Sequence, residues 1–227
     1  MIAINARYAG WADKPVFLNR MSGRTSVSLD ESVLAPFAEA LQDPAPRKLI
    51  VLHLIGAHPH YALRYPATFA PDWGNDRVAE QLQKFGRYPW VMIARDQYDA
   101  AMRYQDEVLY QLLTLTRENA LLSGIPTDWL FLSDHGQETG DYINRAGHSP
   151  RTPAGFRIPL LFWSSNDLPR ISARRPFRAD SLSPLLLSLA GIHWSRENPA
   201  ENFASQNYRW RRPAISAEDP ELPPSEK

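Results

Sequence analysis

The fold is decided by residues 128–136, DWLFLSDHG, in which a short apolar run is followed by polar residues. The run from Asp128 to Leu132 has the length of a strand and is apolar on both faces, which is typical of a strand buried within a sheet. Asp134 and His135 follow almost directly. Because ligands of open α/β sheets bind beyond the carboxyl ends of the strands, this stretch predicts a sheet together with a candidate site at its edge.

Two further apolar runs predict neighbouring strands. Residues 48–55 (KLIVLHLI) are apolar almost throughout, and residues 156–163 (FRIPLLFW) follow the same pattern. Pro159 in the second run indicates an edge strand or a bulge. The end of another strand is predicted at residues 2–5. We expect the strands near 48–55, 128–133 and 156–163 to lie side by side in one mostly parallel sheet.

Helical patterns alternate with these strands. A capping box at Ser28–Glu31 predicts a helix that ends near Leu41, although Pro36 lies inside it. Apolar residues on one face predict a long helix over residues 96–122, and a short helix is expected over 181–189. The alternation of strands and helices predicts an α/β fold with three α/β/α layers.

Composition limits the classes of protein. The 227 residues are 44% hydrophobic, which suffices for a core, and 25 basic residues balance 25 acidic ones, without the basic excess typical of nucleic-acid binders. The absence of Cys excludes disulfides, zinc–thiolate sites and a cysteine nucleophile. We find neither a signal peptide nor an apolar run of the ~18–20 residues that a membrane span needs. We expect one domain over residues 1–213 and a disordered, proline-rich and acidic tail over 214–227.

Five of the six histidines lie in two segments at or after the ends of predicted strands, residues 53–61 and 133–149. His58 and His148 are candidates to bind a phosphoryl oxygen, to donate to a leaving group or to hold a second metal. A lone loop histidine is more often solvated or structural, so each of the two is weak evidence by itself. His53, within a predicted strand, is expected to be a hydrogen-bonded core residue.

The pair Asp134-His135 indicates a metal site more strongly. One carboxylate oxygen and one imidazole nitrogen at the end of a strand suit Zn²⁺ or Mn²⁺ rather than Ca²⁺, which prefers oxygen ligands alone. In the competing interpretation the aspartate caps the following turn and the histidine packs beside it. Gly136 is expected to let the backbone approach an anion.

Taken together and in order, these motifs resemble the periplasmic catalytic domain of bacterial phosphoethanolamine transferases, within the sulfatase and alkaline phosphatase superfamily. The resemblance covers residues 2–195 and is closer to the branch that modifies inner-core sugars of lipopolysaccharide than to the lipid A branch. The segments that carry it are His53-Leu-Ile-Gly-Ala-His58, Arg64-Tyr65-Pro66, Ser133-Asp134-His135-Gly136, Gly147-His148 and Arg157-Ile158-Pro159-Leu160.

The resemblance implies a role for each candidate residue. Asp134 and His135 would be zinc ligands, and His58 and His148 would lie on the phosphate side of the site. Phosphatidylethanolamine would be the donor and a lipopolysaccharide or glycan the acceptor, at the periplasmic face of the inner membrane. The early glutamate ligand, the threonine nucleophile and a membrane region of such enzymes would lie outside this chain, so the chain resembles the C-terminal part of the domain with half of the metal site.

Other interpretations stay open at this point. A sulfatase or phosphodiesterase of the same superfamily would transfer to water instead, and a truncated, non-catalytic remnant would lack the nucleophile. Glu138 is either a partner that orients a ligand histidine or a solvated loop acid. The arginines over residues 170–178 suit either anionic headgroups or a solvated loop, and Trp210 either an interface or ordinary packing.

Overall fold

The computed structural model describes residues 10–18, 27, 29–71, 73, 76–166 and 175–214. The chain forms two compact units: a first unit of residues 1–123 and 139–147, and a second unit of residues 124–138 and 148–227. The strand end predicted at residues 2–5, the capping residue Ser28 and all but Ala214 of the predicted tail lie outside the described residues.

The first unit begins with a 3-10 turn, Asp30–Val33, followed by helix α1, Leu34–Gln42. Pro36 lies in the first turn of α1, where its missing N–H removes no helical hydrogen bond, so the helix predicted here forms despite it. The capping expectation is not met among the described residues: the N-cap position is Leu29, which makes no side-chain cap, and the N–H of Glu31 donates to the Tyr104 hydroxyl at 3.1 Å.

Two more helices follow in the first unit. Helix α2, Arg77–Lys84, is capped by Asp76, whose carboxylate accepts the N–H of Ala79 at 2.7 Å. Helix α3, Pro89–Ser123, is the predicted long helix, and it starts seven residues early because proline is well tolerated at a first helical position. Its buried face packs against α1 and includes the fully buried Val91.

The strand prediction for residues 48–55 is wrong, because this segment belongs to neither ladder of the described chain. The side chains nonetheless alternate as in an extended chain: Leu49 is 80% and Val51 76% exposed, whereas Ile50 and Leu52 are partly buried. His53 is exposed rather than part of the core. An apolar run is a strand only where another strand supplies hydrogen-bond partners, and that depends on contacts remote in sequence.

The second unit is built on one antiparallel ladder. Strand β1, Asp128–Leu132, pairs with a later strand, Leu160–Ser164, in a register that places Leu130 opposite Phe162. Between them in sequence come the two-residue strands β2, Glu138–Thr139, and β3, Ala146–Gly147, which pair with each other, and residues 139–147 belong to the first unit. The later strand, β4, begins just after Pro159, so the proline removes no donor from the ladder. The prediction of parallel pairing is therefore wrong for β1 and β4.

The core of the second unit lies where this ladder meets helix α4, Leu182–Leu189. Leu130 and Leu160 pack against a buried cluster of Leu185, Phe203, Tyr208 and Trp210. Trp210 is 3% exposed, so packing is its role. No helix among the described residues is both long and apolar enough to cross a membrane.

Candidate functional site

The candidate metal pair follows β1, as the sequence predicts. Asp134 and His135 come two and three residues after the strand ends, and the chain bends at Asp134. The N–H of His135 donates to Asp134 Oδ1 at 2.9 Å, and the hydroxyl of Ser133 donates to the His135 carbonyl at 2.8 Å. These local bonds fix the backbone, while the Asp134 side chain stays 88% exposed.

The hydrogen bonds of His135 set its tautomer. Its Nδ1 lies 2.9 Å from the Gly136 carbonyl oxygen, which can only accept, so Nδ1 must carry the hydrogen. In the neutral ring Nε2 is then left with a free lone pair. A second hydrogen bond that orients a histidine in this way is the usual arrangement behind a metal-ligating nitrogen.

The free nitrogen faces the neighbouring carboxylate. Nε2 of His135 and Oδ2 of Asp134 lie 3.8 Å apart, too far for a hydrogen bond. Two zinc–ligand bonds of about 2.1 Å each place the ligand atoms about 3.4 Å apart in tetrahedral geometry and at most about 4.2 Å apart, so atoms 3.8 Å apart can both reach one Zn²⁺. The donor set therefore fits zinc, but only in part: the described residues contain no group of three or more metal-binding side chains.

His148 lies against this pair in the second unit. Its imidazole stacks on that of His135, with ring centroids 4.1 Å apart and planes inclined by 25°. The His148 ring is exposed, so it can reach a ligand beside the Asp134-His135 pair. The structure thus brings together three of the four residues that the sequence singles out.

Two glycines hold the loop of His135 against the segment after His148. A Cβ on Gly136 would lie 2.0 Å from the Ala154 carbonyl oxygen, and one on Gly155 would lie 1.7 Å from the Ser149 carbonyl oxygen. The N–H of Gly136 donates to the Gly155 carbonyl at 3.0 Å. Close packing against the protein's own backbone thus accounts for the glycine at 136, and the approach of an anion there stays a prediction.

Glu138 is fully buried in the second unit, at 0% exposure. Burial of an acid is costly without compensation, so the interpretation as a solvated loop acid is wrong. Its proposed role in orienting a ligand histidine stays a prediction.

His58, the fourth candidate, belongs to the first unit and is half-buried. Its ring nitrogen Nδ1 hydrogen-bonds to the Pro59 carbonyl, and its own carbonyl accepts a bond from Arg64 Nε at 3.2 Å. Its convergence with Asp134, His135 and His148 stays a prediction.

Sequence reasoning misses two buried charges beside His58. Asp30 is 6% and Arg64 2% exposed. Burial raises the pKa of Asp30, against the lowering effect of backbone N–H bonds and of Arg64. Burial likewise lowers the pKa of Arg64, against the effect of Asp30. In the sequence, Asp30 lies inside the capping-box pattern Ser28–Glu31 and Arg64 lies in the motif Arg64-Tyr65-Pro66, and neither pattern indicates burial.

Residues 2–192 match the sulfatase family, and the chain belongs to that family. Among curated proteins it is similar to phosphoethanolamine transferase EptC of Escherichia coli K12, with 30% identity over 215 residues, and to phosphoethanolamine transferase CptA of Salmonella typhimurium, with 27% over 214 residues. Each alignment covers 87% of this chain and 35% of the relative. The chain thus spans about a third of the length of these relatives.

The fold has a solved counterpart. The crystal structure of the C-terminal periplasmic domain of E. coli EptC, in complex with zinc, matches with a TM-score of 0.81 and 25% identity, over 93% of this chain and 60% of the solved one. This likeness confirms the α/β, sulfatase-like fold class, and the resemblance to phosphoethanolamine transferases is confirmed with it.

Proposed function

We propose that this chain is the C-terminal part of the catalytic domain of a zinc-dependent phosphoethanolamine transferase. The donor would be phosphatidylethanolamine and the acceptor a lipopolysaccharide or glycan, at the periplasmic face of the inner membrane. The proposal is supported by the similarity to EptC and CptA, to the zinc-bound EptC domain, and by the 3.8 Å approach of His135 Nε2 to Asp134 Oδ2.

Asp134 and His135 would hold the zinc ion in this proposal. When bound, zinc would supply positive charge that lowers the pKa of a nucleophilic hydroxyl and stabilises a phosphoryl group. The Gly136 carbonyl keeps the hydrogen of His135 on Nδ1, which leaves Nε2 for the metal. Mn²⁺ suits the same donors, but the zinc-bound relative favours zinc.

The remaining chemistry is phosphoryl transfer in two steps. A threonine supplied by the part of the domain outside this chain would attack phosphorus, release diacylglycerol and carry the phosphoethanolamine as a phospho-threonine. An acceptor hydroxyl or phosphate would then displace the threonine. The exposed His148 would donate a hydrogen bond to a phosphoryl oxygen, where charge accumulates. The half-buried His58, whose Nδ1 already donates to the Pro59 carbonyl, would donate from Nε2 in its imidazolium form.

Zinc binding to the chain tests this proposal without requiring turnover. Isothermal titration should show binding that is weak, because zinc sites usually have three or four protein ligands. Asp134→Ala should weaken it by roughly tenfold or more, the scale of one lost ligand interaction. His193→Ala is the matched control, since His193 is exposed and pairs with Glu197 in the second unit. Equal zinc binding by the parent and Asp134→Ala would contradict the metal site.

A hydrolase of the same family is the second candidate, favoured by the match to the sulfatase family itself. It would use the same residues and transfer to water. A non-catalytic remnant is the third, favoured by the absence of a three-ligand group among the described residues. Zinc binding by the parent chain that is lost in Asp134→Ala would argue against a remnant that has no metal site. Analysis of the products formed by a protein that includes the nucleophile would distinguish transfer from hydrolysis.

A further inference from the structure

The loop that carries His58 is held by two buried, oppositely charged side chains of the first unit. Asp30 belongs to the 3-10 turn before α1, and Arg64 follows the turn Tyr61–Leu63. Both are almost inaccessible to solvent, at 6% and 2% exposure. Arg64 is therefore closed to a substrate, and its charge acts on the protein itself.

Both charges bind the main chain of the loop. The two oxygens of Asp30 accept the N–H groups of Ile55 at 3.0 Å and of Gly56 at 2.7 Å. Nε of Arg64 donates to the carbonyl of His58 at 3.2 Å. The four residues 55–58 are thus fixed at both ends by charge-assisted hydrogen bonds, which are about twice as strong as neutral ones.

On its other side, this loop packs against helix α3. Gly56 has φ +53°, and a Cβ there would lie 2.7 Å from Nε2 of Gln105 in α3. Tyr61 packs edge-on against Tyr98 of the same helix, with ring centroids 5.3 Å apart. Helix α3 therefore prevents the loop from moving toward the protein interior. Asp30 and Arg64 fix the orientation of the main-chain groups that they bind.

A pair of buried charges is a poor source of stability, because the cost of desolvation cancels most of the attraction. Its better use is to select one conformation among several of similar energy. We propose that Asp30 and Arg64 are positioning residues that hold the backbone of residues 55–58 so that the His58 imidazole is presented to the phosphoryl group. This inference rests on the proposed function, in which His58 binds phosphate.

The test is NMR of the chain and of the double variant Asp30→Asn/Arg64→Met, which leaves no uncompensated buried charge. Hydrogen-exchange protection of the Ile55 and Gly56 amides should fall by roughly 10- to 100-fold, the value of a hydrogen bond to a charged group. The His58 ring signals should shift or broaden. The Val108 amide, in the middle of α3, and the ring of His193 should be unchanged.

A single substitution, Arg64→Lys, covers the case in which the double variant fails to fold. Lysine keeps the charge but cannot donate from the Nε position, so the His58 signals should change while Ile55 and Gly56 stay protected by Asp30. Unchanged His58 signals in a folded double variant, or in Arg64→Lys, would overturn the positioning role.

Titration with zinc and inorganic phosphate separates this inference from the proposed function. A parent chain whose histidine signals respond to neither probe would contradict the proposed function. The effect of the double variant and of Arg64→Lys on the His58 signals and on the Ile55 and Gly56 amides can still be measured, because that comparison requires no ligand.

Discussion

At the level of single residues, Gly136 and Gly155, which hold the loop of His135, are positions where an added side chain would overlap the protein's own backbone. A side chain at Gly136 would overlap the Ala154 carbonyl, which is main chain and cannot rotate away. Gly136→Ala should therefore destabilise the protein by about 3 kcal/mol, the upper range for overpacking. Urea denaturation measures this directly.

The matched control is Gly124→Ala. Gly124 has φ +66°, but a Cβ there would have nothing within 4 Å, so alanine meets only backbone strain of about 1–2 kcal/mol. A cost at Gly136 no larger than the cost at Gly124 would show that the His135 loop does not pack tightly against residues 153–157.

At the level of elements, the start of α2 depends on one charged cap. The backbone N–H of Ala79 and the side chain of Arg95 hold the pKa of Asp76 below its ordinary value of 3.8. Asp76→Ala should cost about 1 kcal/mol at neutral pH, and Asp76→Asn much less, because asparagine is also a good cap. Chemical denaturation of both variants against the parent gives these values.

The Asp76 cap also predicts how the stability of the protein depends on pH. A carboxyl whose pKa is lowered by folding adds stability above its unfolded pKa, and this stability is lost as the pH falls through the folded pKa. The difference in melting temperature between the parent and Asp76→Ala should therefore be full at neutral pH and shrink below pH 3.8. A difference that stays constant into strong acid would rule out the charge as its source.

The extended segment over residues 48–55 predicts association. Its exposed apolar residues, Leu49 and Val51, alternate with partly buried neighbours as on a sheet edge, and exposed apolar segments of this kind can pair with another chain. Light scattering should show self-association of the parent at high concentration, reduced by Leu49→Lys/Val51→Lys.

Leu121→Lys is the control for this effect, since Leu121 is 84% exposed but lies on a helix, whose N–H groups bond within the helix and not to a neighbouring strand. A parent that stays monodisperse and monomeric, or a control that reduces association equally, would contradict the edge interpretation.

At the level of the whole molecule, the sequence predicts what local patterns determine. The long helix, the short helix near residue 182 and strand β1 follow from apolar periodicity within a few residues. The Asp134-His135 pair is predictable because it directly follows β1, whereas its stacking with His148 is not, because the residues between them can fold in many ways.

Contacts between distant residues explain what the sequence does not show. The antiparallel direction of β1 and β4, and the absence of residues 48–55 from the ladders of the described chain, depend on which strands meet. Asp30 has the sequence context of a local cap, yet it binds backbone groups 25 and 26 residues away. Because charged side chains are rarely buried, an arginine such as Arg64 is expected to be exposed when only its residue type is known.

The proposal that Asp134 and His135 form one half of a zinc site is open to ¹⁵N NMR of the histidine rings during zinc addition. The Nε2 signal of His135 should shift on zinc binding while its Nδ1 stays protonated against the Gly136 carbonyl, Asp134→Ala should require roughly tenfold or more zinc for the same shift, and His193 should not change. Zinc that leaves His135 unaffected, or that binds its Nδ1 instead, would contradict the proposal.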